Sequence, residues 1–314
     1  MAKSLRLEYG KHLARLGKKY PNLVALEADL KESTQSVQFE QAYPRRYIEF
    51  GVAEQNMVCV AAGLALGGKI PIVHSFACFI SMRACEQIRT SIAYPKLNVK
   101  FMASHAGVSA GTAGVTHHAI EDIAIMRAIP NMTVLAPGDA REVREALEVA
   151  LEHKGPVYIR ISASEVEDVY MVSHKFSIGK ASELRKGNDL AIITTGTMVH
   201  EGVLASDTLK REFGINARVL QIASIKPIDR DSIIKAAKET GCVLTIEEHN
   251  IIGGLGSAVC EIVSEIGNAR VKRIGITDHF CEVGSFRYLM KSEGLITEMI
   301  VKKALDFKKN EAWA

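Results

Sequence analysis

No run in this chain approaches the ~20 consecutive apolar residues that a bilayer-spanning helix needs, which argues against a helical membrane protein. The opening Met1-Ala2-Lys3-Ser4-Leu5-Arg6 lacks the apolar core of a secretory signal and leads straight into an amphipathic pattern of Leu5, Tyr9, Leu13 and Leu16. A large excess of one charge is missing too. The net charge of +3 is too small, and the basic residues too scattered, to point to nucleic acid or an anionic membrane. There is no Cys-x-x-Cys pair, and the cysteines at 59, 78, 85, 242, 260 and 281 mostly lie in apolar runs, as reduced structural thiols do. Internal repeats and low-complexity tracts are absent as well. A cytoplasmic enzyme fits all of these absences.

What is present is ordinary globular usage, with 47% apolar and 24% charged residues over 314 positions, enough chain for two domains with separate cores. The first half alternates strands expected at 23–28, 47–50, 71–74, 99–103, 133–136 and 157–161 with helices at about 4–18, 54–66, 78–93, 119–128 and 139–153. That rhythm implies an α/β fold, a mostly parallel sheet with helices on both faces. Residues 162–188 break it, with Glu165, Glu167 and Asp168 and stretches rich in Lys and Ser, and read as a connection. A smaller α/β unit follows, with strands at 190–195, 217–222, 243–247 and 273–276 and helices at about 199–212, 229–239, 256–266 and 295–307. The expected organisation is a domain over 1–163, a linker over 164–188 and a second domain over 189–314.

The most informative segment is Tyr47-Ile48-Glu49-Phe50-Gly51-Val52-Ala53-Glu54-Gln55-Asn56-Met57. Glu54 falls where a short strand gives way to an apolar helix, at the sheet edge where ligands of α/β proteins bind. Its neighbours Val52, Ala53, Met57 and Val58 are apolar, a setting that raises a carboxyl pKa by desolvation. Alone, such a residue reads as a first-turn Glu stabilised by the helix dipole. Three further segments follow expected strands: Glu27-Ala28-Asp29-Leu30-Lys31-Glu32-Ser33-Thr34, His74-Ser75-Phe76-Ala77-Cys78-Phe79 and Ser104-His105-Ala106-Gly107-Val108-Ser109-Ala110-Gly111. In this order and spacing, the four segments resemble the pyrimidine-binding domain of thiamine diphosphate enzymes, transketolase most closely. The resemblance extends over essentially the whole chain, as the last two domains of a transketolase.

The resemblance implies thiamine diphosphate, held at its pyrimidine end, and roles for particular residues. Glu54 matches the glutamate that hydrogen-bonds a ring nitrogen of the aminopyrimidine, and a dry setting suits a carboxyl that must share a proton. Phe76 and Phe79 match the aromatic wall against that ring, although residues three apart also share a helical face as ordinary core. Asp29 and Leu30 match residues that line the cofactor across a subunit interface. His105 and His117, on either side of the loop 107–114, match active-site histidines, a residue type that moves protons near neutral pH. His118 has no counterpart in the family. Arg6 and Ser33 match positions that hold the sugar phosphate, for which a planar guanidinium fork is well shaped; His105 is expected to contact the substrate as well.

Two departures stand out. The family carries Gly-Glu-Asp-Gly where this chain has Gly111-Thr112-Ala113-Gly114, and Ser-Arg where it has Ser162-Ala163. Both lost groups contact substrate, which points to an unusual ketose or aldose. The family's diphosphate-and-metal site, Gly-Asp-Gly with a later Asn, is also missing, so no cofactor-metal ligand is expected on this chain. Pro137-Gly138-Asp139-Ala140 reads instead as a turn and N-cap, and Gly253-Gly254-Leu255-Gly256 as a glycine turn feeding a helix. No further domain is expected before Arg6. These features together lead to the expectation of one subunit of a split transketolase, inactive alone. A separate N-terminal subunit would bind the diphosphate and its Mg²⁺ or Ca²⁺, in a two-plus-two assembly. Two rivals are the beta subunit of a 2-oxo acid dehydrogenase decarboxylating component and a non-catalytic scaffold subunit.

Overall fold

The computed structural model describes residues 2–169, 175–267 and 269–309. The larger sheet has seven strands in the spatial order Ser224–Lys226, Thr133–Leu135, Val157–Arg160, Lys100–Ser104, Ile70–Phe76, Leu23–Glu27 and Tyr47–Glu49. All neighbours are parallel except the first pair. Leu23–Glu27, Ile70–Phe76 and Lys100–Ser104 are buried on both faces, which explains their continuous apolar character in the sequence. On one face Leu5, Tyr9, Leu13 and Leu16 of the helix Leu5–Lys19 meet Val143, Ala146 and Leu147 of the helix Ala140–Glu152. Met57, Val58 and Ala61 of the helix Glu54–Leu66 cover the other face.

The smaller sheet has the order Arg270–Ile276, Cys242–Asn250, Leu190–Thr194, Ala217–Gln221 and Ser182–Arg185, parallel except for the last strand. Met198–Phe213 packs with Thr297–Lys309, and Arg230–Thr240 with Leu255–Ile266. The two units are joined more closely than an alternation of strands and helices suggests. The strand Ser224–Lys226 leaves the second unit to pair antiparallel with Thr133–Leu135 of the first, and one apolar cluster includes Val134, Ile222, Ile225 and Val259.

Three local features differ from the expected elements. The helix expected at 78–93 is broken into π-helical turns, Phe79–Arg83 and Ile88–Ala93, around a short α-helical turn. The helix expected from 119 starts at Asp122, because Ala119 is engaged in an antiparallel bridge with Gly107. Within the stretch read as a connection, Glu165–Val166 pairs with Lys3–Ser4, and Ser182–Arg185 is the edge strand of the smaller sheet. Residues 170–174 of that stretch lie outside the described residues. Among the described residues no helix is long and apolar enough to cross a membrane.

Candidate active site

Glu54 is the first residue of the helix Glu54–Leu66 and is 1% exposed. Ser75 Oγ donates to its Oε1 at 3.2 Å, and Arg83 Nη1 donates to its Oε2 at 2.7 Å. Arg83 spans the site, with its guanidinium carbon 4.4 Å from the centroid of the Phe79 ring. Neither Ser75 nor Arg83 was singled out from the sequence. The signal for Arg83 was a lone cation in an otherwise apolar run, four residues after Phe79 and so on its face.

Phe76 ends the strand Ile70–Phe76, and Phe79 opens the first π-helical turn. Their rings stand 5.8 Å apart and within 8° of parallel. His105 stacks on Phe76 at 3.8 Å, while His117 meets Phe76 edge-on at 6.0 Å and Phe79 at 5.3 Å. The structure thus joins Glu54, Phe76, Phe79, Arg83, His105 and His117 into one contiguous group. His105 holds a left-handed backbone, φ 56°, a conformation uncommon for a residue with a side chain and often found where position matters. Its Nδ1 is 3.0 Å from Ser104 Oγ, and the Nδ1 of His117 is 2.9 Å from Thr116 Oγ1. Burial, with the charges of Arg6 and His117 adding to it, pushes the His105 imidazole down to about 3, so the ring is neutral at physiological pH.

The loop between these histidines is braced from the second unit. Val108 N–H donates to Glu248 Oε1 at 2.8 Å. Gly107 has φ +60°, and a Cβ there would lie 2.2 Å from the same carboxylate oxygen, so glycine is required by both conformation and space. Ser109 donates to Ala106 O at 2.6 Å and accepts Ala163 N–H at 3.0 Å. His118 is buried with Nε2 3.0 Å from Gly111 O, an internal prop of the loop. Ala113 is exposed on the loop's outer turn.

Arg6 Nη1 donates to Ser33 O at 2.6 Å and Nη2 to Ala163 O at 3.2 Å. Arg6, Ser33 and Ala163 therefore meet, close enough to His105 for the guanidinium to influence its titration. Asp29 adopts φ 62°, is exposed, and donates its N–H to Glu49 Oε1 at 2.8 Å. Leu30 packs against the apolar cluster that contains Phe76. Among the described residues no hydrogen bond or ring contact links Asp29 or Leu30 to the histidines. Their turn is organised by buried Glu27, which accepts from Ala28 N–H at 3.0 Å, Thr34 Oγ1 at 2.6 Å and Ser36 Oγ at 2.5 Å. All these residues cluster at the carboxyl ends of the parallel strands, the usual ligand face of such a sheet.

The other two motifs are structural. Asp139 caps the helix Ala140–Glu152 through Glu142 N–H at 2.8 Å. In the glycine run, Leu255 and Gly256 N–H donate to buried Glu247 at 2.7 and 2.8 Å. A carboxylate of the chain itself thus takes up the helix N-terminus that a phosphate would use.

Comparison with known proteins decides the family. The transketolase pyrimidine binding domain matches residues 2–168, and the transketolase C-terminal domain matches residues 179–300. The chain belongs to the transketolase family. It is 48% identical over 312 residues to a protein of Methanocaldococcus jannaschii described as a transketolase C-terminal section, covering 98% of each. It is 43% identical over 300 residues to the 6-deoxy-6-sulfo-D-fructose transketolase subunit SqwH of a Clostridium species, covering 96% of this chain and 93% of that one. Among solved structures it resembles a split gene transketolase in an inactive beta4 tetramer, with a TM-score of 0.89 and 44% identity over 97% of this chain and 99% of that chain. The chain thus carries the last two domains of a transketolase, as those C-terminal sections and subunits do. The 2-oxo acid dehydrogenase reading is less supported.

Proposed function

We propose that this subunit supplies the pyrimidine half of an active site that moves a two-carbon ketol unit from a ketose to an aldose. A separate N-terminal subunit would supply the diphosphate site and its Mg²⁺ or Ca²⁺. One observation carries the reading: a fully buried Glu54 beside two near-parallel phenyl rings, at strand ends shared with two histidines. That arrangement fits a flat, nitrogen-bearing heterocycle, which would stack on the Phe76–Phe79 wall and present a ring nitrogen to the carboxylate. When bound, thiamine diphosphate supplies a nucleophilic carbon and an electron sink. Glu54 then holds a proton at the pyrimidine nitrogen, while Phe76 and Phe79 exclude water. His105, neutral at physiological pH, and His117 offer Nε2 to sugar hydroxyls. Arg6, fixed beside Ser33, faces the sugar phosphate, and Asp29 and Leu30 complete the cofactor's surroundings.

The partner is supported from two sides. A similar split gene transketolase is described as inactive in its beta4 tetramer, as expected where half of each site is missing. The helix Glu54–Leu66 is apolar in sequence, yet Gln55, Asn56, Cys59 and Gly63 face solvent and Leu66 is 76% exposed. An uncovered face of this kind next to a site is how a subunit contact presents itself. We place the assembly at two plus two, in the cytoplasm, acting in carbohydrate metabolism of the pentose phosphate type. Ala113 and Ala163 point to an atypical sugar, a reading supported by the name of SqwH, a 6-deoxy-6-sulfo-D-fructose transketolase subunit.

The deciding experiment is ketol transfer by this chain, with and without a co-expressed N-terminal subunit, in thiamine diphosphate and Mg²⁺ with a panel of ketoses and aldoses. Activity only in the mixture supports the split site. Full activity of this chain alone, or CO₂ release from a 2-oxo acid without ketol transfer, overturns it. Ordinary efficiency with xylulose 5-phosphate and ribose 5-phosphate would remove the atypical-sugar element.

A further inference from the structure

Outside the crevice, the loop following the strand Arg270–Ile276 gathers His279 and Cys281, and the helix Phe286–Ser292 returns Glu293 to the same place. We propose that these three residues form a site for a zinc-class divalent ion, separate from the metal of the cofactor. The donor atoms all lie within 4.8 Å of one another. Bonds of about 2.0–2.1 Å to nitrogen or oxygen and about 2.3 Å to sulfur would put tetrahedral neighbours roughly 3.3–3.6 Å apart. The imidazole and carboxylate stand at hydrogen-bond distance just inside that spacing, with His279 Nε2 3.1 Å from Glu293 Oε2, and would part by a few tenths of an ångström to admit an ion. Thr277 Oγ1 lies 2.9 Å from His279 Nδ1, which orients the ring and leaves Nε2 as the ligating atom.

The chemistry of the set is selective. A thiol, an imidazole and a carboxylate suit zinc and its neighbours in the transition series, not Mg²⁺ or Ca²⁺. Cys281 is buried, the Glu293 side chain is 9% exposed and the His279 side chain 47%, so two ligands are enclosed and the third leaves a path for the ion. The surroundings are rich in negative charge. Burial first, and then the charges of Glu293, Glu248 and Glu121, push the Cys281 thiol up to about 12, so a bound ion would displace its proton, and Glu121 carries a buried Oε2 without a hydrogen-bond partner among the described residues. Lys303 is close enough to feel the charge of Glu293, and its Nζ donates to Gly294 O at 3.4 Å. Three protein ligands leave a fourth position for water.

The site's place in the fold gives it a purpose. His279 and Cys281 precede the helix Phe286–Ser292 and Glu293 follows it, so an ion would tie both ends together. The same loop braces the active-site loop: a Cβ at Gly111 would lie 3.2 Å from Gly284 O, and one at Gly114 3.0 Å from Val283 Cγ2. A metal clamp here would hold the wall behind the segment between His105 and His117.

Co²⁺ is the probe for the test. The full chain, stripped with chelator, is titrated with Co²⁺ and followed by its thiolate-to-metal absorption and visible ligand-field bands, then challenged with Zn²⁺. One equivalent is expected, with a thiolate band and tetrahedral visible bands, displaced by Zn²⁺. Cys281→Ser should remove the thiolate band. His279→Ala, at an exposed position that the fold tolerates, should weaken binding at least 100-fold, and Cys59→Ser should change nothing. The absence of stoichiometric binding, or a thiolate band that survives Cys281→Ser or moves with Cys59→Ser, would overturn the proposal. So would unchanged affinity in a folded His279→Ala.

Discussion

Glu54 and Glu247 are both fully buried carboxylates beside the start of a helix, Glu54 as its first residue and Glu247 from the strand Cys242–Asn250, and they are held in opposite ways. The oxygens of Glu54 rest on a hydroxyl and a guanidinium, those of Ser75 and of a half-exposed Arg83. The oxygens of Glu247 rest on two backbone amides, those of Leu255 and Gly256. Side chains swing away at the cost of a rotamer, whereas amides of a first turn leave only if the helix unwinds. Glu247 is also closed in by the chain, since a Cβ at Gly254 would lie 2.0 Å from its Oε2. Burial and nearness to a helix start are shared by the two residues. What separates a carboxylate available to a ligand from one that belongs to the fold is the mobility of its partners.

The largest expected effect tests this contrast directly. In the reconstituted pair, Glu54→Gln should lower turnover about 10²–10⁴-fold, the range of a lost acid–base group, and leave the unfolding midpoint nearly unchanged. Glu247→Gln should do the reverse. Above about pH 7, where the carboxylate is ionised, weakening two charge-assisted bonds to buried amides costs about 1–3 kcal/mol of stability, with turnover per folded enzyme within about twofold, since hydrogen bonds remote from the site add little to the transition state. Turnover and urea unfolding of both variants decide it. A folded Glu247→Gln that is inactive, or an active Glu54→Gln, would break the contrast.

Arg83→Met sharpens it. The substitution leaves Glu54 Oε2 without its ion pair and removes the cation above Phe79. If the mobile partner serves to orient the carboxylate, the concentration of thiamine diphosphate for half-maximal activity should rise roughly tenfold, the equivalent of one charge-assisted hydrogen bond. Unchanged cofactor dependence would show that Ser75 alone suffices. Ala163→Arg is expected to act on the sugar. Arg6 binds the main-chain oxygen of residue 163, so its anchor survives the change. A second guanidinium beside it should lower KM for phosphorylated sugars by about threefold to tenfold, with little effect on unphosphorylated ones. Equal effects on both classes would mean that this corner does not meet phosphate.

Much of the fold, and the Glu54 side of this contrast, was legible in the sequence, whereas Glu247 was not. Strands buried on both faces left continuous apolar runs, so the α/β alternation and the strand ends bearing Glu54, Phe76 and His105 followed directly. The misses share a physical cause, in that the deciding contacts are long-range or local and polar. Arg83 sits in a π-helical turn, where a cation in an apolar run resembles a solvated one. Glu248 meets Val108 across 140 positions of chain, and Ser224–Lys226 is too short to show a period. Ser182–Arg185 alternates between half-buried and exposed residues and is polar enough to pass for a connection. Buried Arg160 is similarly silent in sequence, although its Nε reaches Asp122 at 2.9 Å and its Nη2 reaches Glu248 O at 2.7 Å, tying the two units together.

The smallest effect is a matter of sign. Burial raises Glu247 from 4.5 to about 7 and depresses His105 from 6.5 to about 3. Between about pH 4.5 and 7 the folded chain therefore holds more protons at Glu247 than the unfolded chain does, and stability from this group falls as the pH rises through that window. His105 acts oppositely, holding fewer protons when folded, so stability is complete above 6.5 and is lost as the pH falls toward 3. The two slopes oppose each other where the windows overlap. Removing either group should expose the other: the penalty of Glu247→Gln should shrink from about pH 5 to about pH 7 and then level off. His105→Asn should gain stability relative to the parent as the pH falls below 6.5. Urea unfolding across this range reads both trends. A penalty for Glu247→Gln that stays flat would mean its carboxylate remains ionised throughout, held by the two amides more strongly than burial opposes it.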